Sequence, residues 1–297
     1  MRDKEQKINM SLKKHKQNNL INLSPIVVGF LATMCISSTV SAVVVTAGAN
    51  TETITQVVVN IDNDAVNTTF NASQTAATNA IGTAALQSIS LSDGTTLNQF
   101  DRYQATVSNF NADLAGVIET LNSSSTPPTS QFSNTDPNTD FLNELAEVHS
   151  NGDIANYIRV DGASSNVSWS VQFDDTVGFD LSDRLVVQER DGNTNFTLTA
   201  LDLNGNVIAG ADVLEFNGGS YQFDSGISNT NDPFSGQSQV LSVIDLSLFN
   251  TTEAVGGFTI DNTGNADIKV FIGTIPEPSS TLLAGLGMLT LTFRRRR

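Results

Sequence analysis

The sequence predicts a mainly β protein: an antiparallel β-sandwich preceded by a small helical hairpin, between a signal peptide and a short C-terminal transmembrane helix. Beyond Gly152, apolar residues alternate with polar ones in many short runs, the pattern of strands with one buried face. Asn-Gly and Asp-Gly turns separate these runs, with no helical pattern between them. Before Gly152 the apolar spacing is three and four, which indicates helix.

The N-terminus has the three parts of a secretory signal peptide. Five lysines between positions 4 and 16 form a basic region, and an apolar run follows over residues 26–36. Val40-Ser41-Ala42 then supplies small residues for cleavage, and Ala47-Gly48-Ala49 is a second candidate. We therefore predict a signal peptide over residues 1–42 and export by the Sec machinery. An uncleaved anchor over residues 26–47 is the alternative.

Residues 43–152 are rich in Ala, Thr and Asn, and we predict that they are partly helical. Residues 55–61 fit an isolated strand, and residues 65–89 have apolar side chains at roughly helical spacing. With residues 90–94 as the turn, a second and clearer helix completes a helical hairpin over residues 65–121. Its stripe contains Phe100, Tyr103, Val107, Phe110, Leu114, Val117 and Leu121. A coiled-coil partner helix is the alternative use of this stripe.

A short third helix is predicted before the change of period. Asp136 as N-cap and Pro137 at the first helical position begin it, and Gly152 ends it. Its apolar face consists of Phe141, Leu142, Leu145 and Val148.

Residues 153–275 are predicted to form the β-sandwich domain. In residues 167–173, apolar and polar side chains alternate, and Trp169 is in phase with the apolar set, which places it in the core. Further strands are predicted at 156–160, 184–189, 195–203, 211–216, 239–249, 257–260 and 268–272. The turns Asp191-Gly192, Asn204-Gly205 and Asn217-Gly218-Gly219 provide positions that tolerate positive φ.

Charge and cysteine content exclude several kinds of protein. Residues 1–42 hold six of the 15 basic and two of the 31 acidic residues, and four more arginines end the chain. The rest has five basic and 29 acidic residues, a net charge of −24, which repels nucleic acid and would attract divalent cations loosely. The single cysteine, Cys35, lies in the signal peptide, so the mature chain has no disulfide, cysteine nucleophile or cysteine metal site.

No catalytic residue is predicted. His149, the sole histidine after the signal peptide, would be the base of a Ser-His-Asp system. Its place near the end of a short helix, where a positive imidazole meets the helix dipole favourably, favours a structural role. A glycosidase would need two acids from a dispersed set: Asp174, Asp175, Asp180, Asp183, Glu189 and Asp191. Their sequence positions are more typical of solvated loop residues than of a catalytic pair.

No metal site is predicted either, although calcium remains possible. Asp202, Asn204 and Asn206 present oxygen ligands at short spacing, as does Asp62-Asn63-Asp64, but neither continues into a twelve-residue calcium loop. An Asn-Gly hairpin tip explains the first group without a metal. Tyr157 and Tyr221 are the aromatic residues left for stacking on a sugar.

The last two dozen residues combine three features. Pro276-Glu277-Pro278 must be extended, because each proline fixes its own φ and restricts the residue before it. An uncharged apolar run over residues 279–293 follows, about 22 Å long as a helix at 1.5 Å per residue. That length is short of the ~30 Å hydrocarbon core. Four arginines, Arg294, Arg295, Arg296 and Arg297, then hold this end on the cytoplasmic side.

This order of parts over residues 276–297 resembles the PEP-CTERM sorting signal of bacteria that export proteins through an exosortase. The resemblance implies that an exosortase processes the Pro276-Glu277-Pro278 element while the apolar run anchors the chain transiently in the inner membrane. It implies delivery to the cell surface or extracellular matrix of a Gram-negative bacterium. A second resemblance, over about 90 residues that include Leu185–Arg190, Asn195–Ile208, Asp245–Phe249 and Asp267–Phe271, is to the β domain of exosortase-dependent surface proteins.

The sequence therefore favours an exported, exosortase-processed surface or matrix protein with a structural or interaction role and no catalysis of its own. Two alternatives belong to other classes. The first is a carbohydrate-binding adhesin whose sandwich grips an exopolysaccharide, and the second is a secreted hydrolase.

Overall fold

The computed structural model describes residues 40–74, 78–80, 83–112, 117–121, 131–132, 139–161, 167–174, 178–179, 183–193, 195–229, 237–262 and 267–275. These residues belong to one structural unit, residues 38–297. Their helices are α1, Thr139–His149, and a 3-10 helix, Leu246–Phe249.

The strands in chain order are β1 Ala42–Val44, β2 Ile54–Ile61, β3 Thr68–Phe70, β4 Thr78–Ala80, β5 Ala84–Leu91, β6 Thr96–Leu97, β7 Ala105–Ala112, β8 Val117–Leu121, β9 Gln131–Phe132, β10 Tyr157–Asp161, β11 Val167–Phe173, β12 Arg184–Arg190, β13 Phe196–Leu201, β14 Val213–Phe216, β15 Phe223–Asp224, β16 Ile227–Asn229, β17 Gln239–Asp245, β18 Gly257–Asn262 and β19 Ile268–Gly273.

Three sheets are stacked in layers. The six-stranded sheet has the order β1-β14-β13-β18-β11-β7, the central sheet β15-β17-β12-β19-β10-β8-β9, and the four-stranded sheet β3-β2-β5-β6. The first apolar core lies between the six-stranded and central sheets, and the second lies between the central and four-stranded sheets. Among the described pairings, β1 with β14 and β16 with β4 are parallel, and the pairings within the layers are otherwise antiparallel.

The central sheet is buried on both faces. Along β12, Leu185 and Val187 enter the first core while Val186 enters the second, and Val270 and Phe271 on β19 divide in the same way. All six residues of β19 are buried. In the two outer sheets, buried residues alternate with less buried ones along a strand, as on β13.

The prediction of a mainly β protein with antiparallel sheets is confirmed, and the sandwich gains a third layer. The strand predicted at residues 167–173 is β11, and the other predicted strands beyond residue 153 correspond to β10, β12, β13, β14, β17, β18 and β19 within a few residues at each end. The strand predicted at 55–61 is β2, which pairs with β3 and β5 and so is not isolated. Asp191, Gly192 and Gly205 have the expected positive φ.

The predicted helical hairpin over residues 65–121 is wrong. The described parts of this region form β3 to β8, and none of them is helical. β7 pairs with β11 and β8 with β10, so hydrogen-bonded ladders cross the predicted boundary between residues 152 and 153.

A β-bulge accounts for one of the helix-like steps in the predicted stripe, and a second bulge has the same effect on β5. On β7 the register shifts between Ser108 and Asn111, where Asn109 has a φ of 51°. The extra residue lets both Val107 and Phe110 pack against the first core, three positions apart. A second register shift, at Gln87 on β5, places Leu86 and Ile89 three apart in the second core. In both strands the buried side chains therefore recur after three positions at the bulge, which is a spacing typical of a helix.

The predicted third helix is confirmed as α1. Phe141, Leu145 and Val148 are buried in the first core, and Leu142 packs against it, as predicted. Asp136 and Pro137 lie outside the described residues. Gly152 lies beyond the helix end, and a Cβ there would approach the Cβ of Phe100 to 2.5 Å, so the glycine permits close packing of the loop.

Within the described ranges, no helix combines the length and apolarity that crossing a membrane requires. The predicted C-terminal transmembrane helix and most of the signal peptide lie outside those ranges.

Candidate functional site

The carboxyl end of the folded body is anchored in the central sheet up to one residue before Pro276. After β19, the Thr274 N–H donates to the Gln99 carbonyl at 2.9 Å, and the Thr274 carbonyl accepts from the Asn98 N–H at 3.2 Å. Thr274 is fully buried, and Ile275 packs half-buried against the second core. Pro276, Glu277, Pro278 and Arg294 to Arg297 lie outside the described residues.

The amino end of the body also begins close to its targeting segment. Val40 is 57% exposed, whereas Val45 is fully buried in the first core. Between them, β1 pairs with β14. The Val45 N–H donates to the Glu215 carbonyl at 2.8 Å, and the Ser220 hydroxyl donates to the Val45 carbonyl at 2.7 Å. The Val213 N–H also donates to the Ser41 carbonyl at 2.9 Å, and Ala42 pairs with Val213, so the body uses the chain from Ser41 onward.

This arrangement distinguishes the two candidate cleavage sites. Cleavage after Ala42 removes the first residue of β1 but leaves Val43, Val44 and Val45 in place, whereas cleavage after Ala49 would remove the whole strand and a core valine. We expect N-terminal sequencing of the secreted protein to begin at Val43. Ala42→Glu should abolish processing because the −1 position requires a small residue, and Ala49→Glu should leave it unchanged. A mature N-terminus at Asn50 would contradict this prediction.

His149 is enclosed between the helix end and two sheets. Its Nδ1–H donates to the Val270 carbonyl at 2.8 Å, and its Nε2 accepts from the Trp169 Nε1–H at 3.1 Å. Burial lowers the pKa of His149 from 6.5 to about 3. The expected positive imidazole at the helix end is therefore wrong: the ring is neutral and both nitrogens are occupied, so it has no free nitrogen for a serine nucleophile.

The two buried members of the predicted carboxylate set lie too far apart to act as a glycosidase pair. Asp183 and Glu189 are both buried, but they are six positions apart along an extended segment, about 20 Å at ~3.3 Å per residue. The two acids of a glycosidase stand roughly 5–10 Å apart. Asp174 is exposed and accepts from the Gln104 N–H, and Asp191 is exposed and accepts from Asn193.

Asp175 and Asp180, the remaining members of the set, lie outside the described residues.

One acidic cavity was not anticipated from the sequence. A space of about 160 Å³ is lined in part by Asp183, Asp245 and Glu253. The Tyr103 hydroxyl donates to Asp183 at 2.8 Å, and Arg184 Nη2 lies 3.6 Å from Asp245. Neutral and cationic partners thus offset these carboxylates. Across the described residues, no three or more His, Cys, Asp or Glu side chains are grouped so as to hold a metal ion.

The candidate calcium ligands serve as turn acceptors. Asp202 Oδ1 accepts the backbone N–H groups of Asn204 and Asn206, each at 2.8 Å. The hydrogen bonds from Asn206 and Asn204 lower the pKa of Asp202. Asp62 and Asn63 have φ values of 53° and 58° in the tight link between β2 and β3. Local turn geometry explains both groups.

Neither aromatic candidate for sugar binding has a fully exposed side chain. Tyr157 is fully buried, Tyr221 is half-buried against the first core, and Trp169 is 1% exposed, which confirms its core position. No phenylalanine, tyrosine or tryptophan whose side chain is described belongs to the exposed class. The most accessible of the described aromatic side chains are half-buried: Phe110, Phe179 and Tyr221.

Comparisons with known proteins give one family match. No curated protein matches the sequence. Among solved structures, the chain is similar to the family 11 carbohydrate-binding module of the cellulosomal cellulase Lic26A-Cel5E of Clostridium thermocellum. The similarity has 11% identity and a TM-score of 0.19 over 58% of this chain and 91% of that one, and at this score it carries no conclusion about fold or ligand. The family model of the PEP-CTERM protein-sorting motif matches residues 274–297. The chain thus carries a PEP-CTERM protein-sorting motif at its carboxyl end, beginning where β19 leaves the central sheet.

Proposed function

We propose that the protein is exported, held transiently in the inner membrane by its C-terminal apolar run, and processed by an exosortase at Pro276-Glu277-Pro278. It is then delivered to the cell surface or extracellular matrix of a Gram-negative bacterium, where it has a structural or interaction role without catalysis. The match of residues 274–297 to the PEP-CTERM motif is the observation that carries this proposal.

The junction between body and tail supports it physically. A proline has no N–H, so it cannot extend a strand that is paired on both sides. β19 pairs with β12 up to Gly273, and Pro276 has no N–H with which to extend this ladder. The processing enzyme would act close to the folded body, with no long linker between them.

The charge of the body supports an interaction role that excludes nucleic acid. Among the basic side chains that the structure describes, Arg184 lies 3.2 Å from Glu52, Arg190 pairs with Asp267, and Lys269 is fully buried. Few positive groups therefore offset the carboxylates on the surface. We expect such a surface to approach anionic polymers only through cations, with calcium held loosely by exposed carboxylates rather than as a resident cofactor.

Replacing Pro276, Glu277 and Pro278 together by alanine tests the proposal. We expect the variant to accumulate unprocessed in the membrane fraction of the native host, because the element that the exosortase recognises is missing. Fractionation and the C-terminal mass of the protein measure the effect. The double replacement of Pro127 and Pro128 by alanine is the matched control and should be released normally. Unchanged release and unchanged C-terminal mass in the triple variant would sink the proposal.

A further inference from the structure

A buried amine touches a side-chain amide where the loop after α1 meets the central sheet. Lys269 projects from β19 and is fully buried. Its Nζ donates to Asn151 Oδ1 at 2.8 Å and to the Asp153 carbonyl at 2.7 Å, and it lies 5.1 Å from the centre of the Phe271 ring. β19 and the Phe271 ring therefore hold the Lys269 amine next to the Asn151 amide.

The amide of Asn151 is fixed with its oxygen toward the lysine. Its Nδ2 donates to the Glu147 carbonyl at 2.8 Å, which sets the orientation of the group. Its Oδ1 also accepts the Asp153 N–H at 3.0 Å. A backbone N–H on that oxygen polarises the carbonyl and would stabilise negative charge that develops there during attack at Cγ.

Distance and protonation both favour attack. A carbonyl bond is about 1.23 Å long, so Nζ lies at most ~4 Å from Cγ, close to the ~3–3.5 Å of a reactive pair. Burial lowers the pKa of Lys269 from 10.5 to about 7, while the charge of Asp153 opposes this shift. A large fraction of the amine is therefore neutral, and hence nucleophilic, near neutral pH.

A route for the leaving group exists beside the amide. Asn151, Gly152 and Asp153 line an open cleft of about 340 Å³ together with Phe100 and Asp101. Asn151 thus borders a space that a released ammonia molecule could enter, whereas Lys269 is fully buried and is not among the residues that line it.

We propose that Lys269 and Asn151 form an intramolecular amide crosslink in the folded protein. Nζ forms a bond to Cγ of Asn151, the Cγ–Nδ2 bond breaks, and a proton from Nζ passes to Nδ2, which leaves as ammonia. The reaction needs no oxidant and no cofactor.

The crosslink would connect two distant segments of the chain. The two residues are 118 positions apart, so the bond joins the end of α1 to the last strand before the sorting tail. The exported chain has no cysteine after Cys35 and cannot form a disulfide. An amide bond would supply the covalent closure that limits the freedom of the unfolded chain, as a disulfide does elsewhere.

Tryptic mapping of the full chain, purified after expression and denatured, tests the proposal. Trypsin cuts after Arg102, Arg159, Arg190 and Lys269, so the unlinked protein gives separate peptides 103–159 and 191–269. We expect instead a branched product in which 103–159 is joined to a peptide that starts at Asp191 and continues through an uncut Lys269. Its mass should be lower than the sum of its two parts by one ammonia.

Two variants and one solution measurement complete the test. Lys269→Arg should abolish the branched product, and Asn151→Asp should give the same product by loss of water, so a folding failure in one variant leaves the other informative. An unlinked Lys269 would make stability rise with pH between about 7 and 10.5, because the unfolded state binds more protons there. A linked one removes that rise. Separate peptides of unmodified mass, or deamidation of Asn151 with a cut Lys269, would overturn the proposal.

Discussion

Replacing Val186 or Val187 by alanine is expected to lower the free energy of unfolding by about 2 kcal/mol or more at either position. The two residues are adjacent on β12 and point to opposite faces. Both are fully buried, Val186 in the second core and Val187 in the first. In a two-layered sandwich, one of two adjacent strand residues would face water, and its truncation would cost little. Similar losses of stability in the two variants would therefore indicate that both faces of the central sheet are covered.

The valines of β2 supply the matched control in a sheet with one exposed face. Val57 and Val59 are buried, whereas Val58 between them is half-buried. We expect Val57→Ala to resemble the central variants and Val58→Ala to cost less than about 1 kcal/mol. Urea unfolding measures all four. If either central variant behaves like Val58→Ala, that face of the central sheet is not covered.

Sequence patterns predicted the second half of the fold because local rules govern it. Apolar and polar residues alternate in the sequence of β11, and the turns at Asp191-Gly192 and Asn204-Gly205 separate strands as their chemistry requires. The central layer was harder to recognise, because a strand covered on both faces does not alternate in burial, as β17 and β19 show. The third layer could be found only by asking what covers the second face.

The first half failed for a specific reason. A bulge at Asn109 and another at Gln87 each insert one residue, so buried side chains recur after three positions instead of two. Phe100 and Tyr103, which continue the apparent stripe, enter different cores. Apolar spacing alone cannot separate a helix face from a bulged strand together with a loop whose side chains enter two cores.

The candidate sites also differ in whether the sequence alone reveals them. The sorting motif is a continuous stretch with its own chemistry, so the sequence was sufficient to recognise it. The contact between Lys269 and Asn151 joins residues from two distant segments, and it depends on the pairing of β19 with β12 and on the loop that follows α1. Neither residue stands in a motif, so only the fold brings them together.

Acidification is expected to destabilise the protein through His149. The folded state lowers the pKa of this histidine to about 3, whereas the unfolded chain retains about 6.5. Between these values the unfolded state binds more protons, so stability falls as pH falls, and the contribution of the neutral ring is complete only above pH 6.5. At pH 4.5 the loss should amount to roughly 3 kcal/mol, since each pH unit corresponds to about 1.4 kcal/mol.

His149→Gln separates this effect from the titration of the many carboxylates. Glutamine cannot take up a proton, so the stability difference between the wild type and this variant should shrink or reverse as the pH falls from 7 to 4.5. Trp169→Phe is the control: it removes the indole donor to Nε2 but leaves the histidine, so the slope should persist at a lower stability. Urea unfolding at a series of pH values measures both. A stability difference between wild type and His149→Gln that stays constant over this range would mean that folding does not lower the pKa of His149.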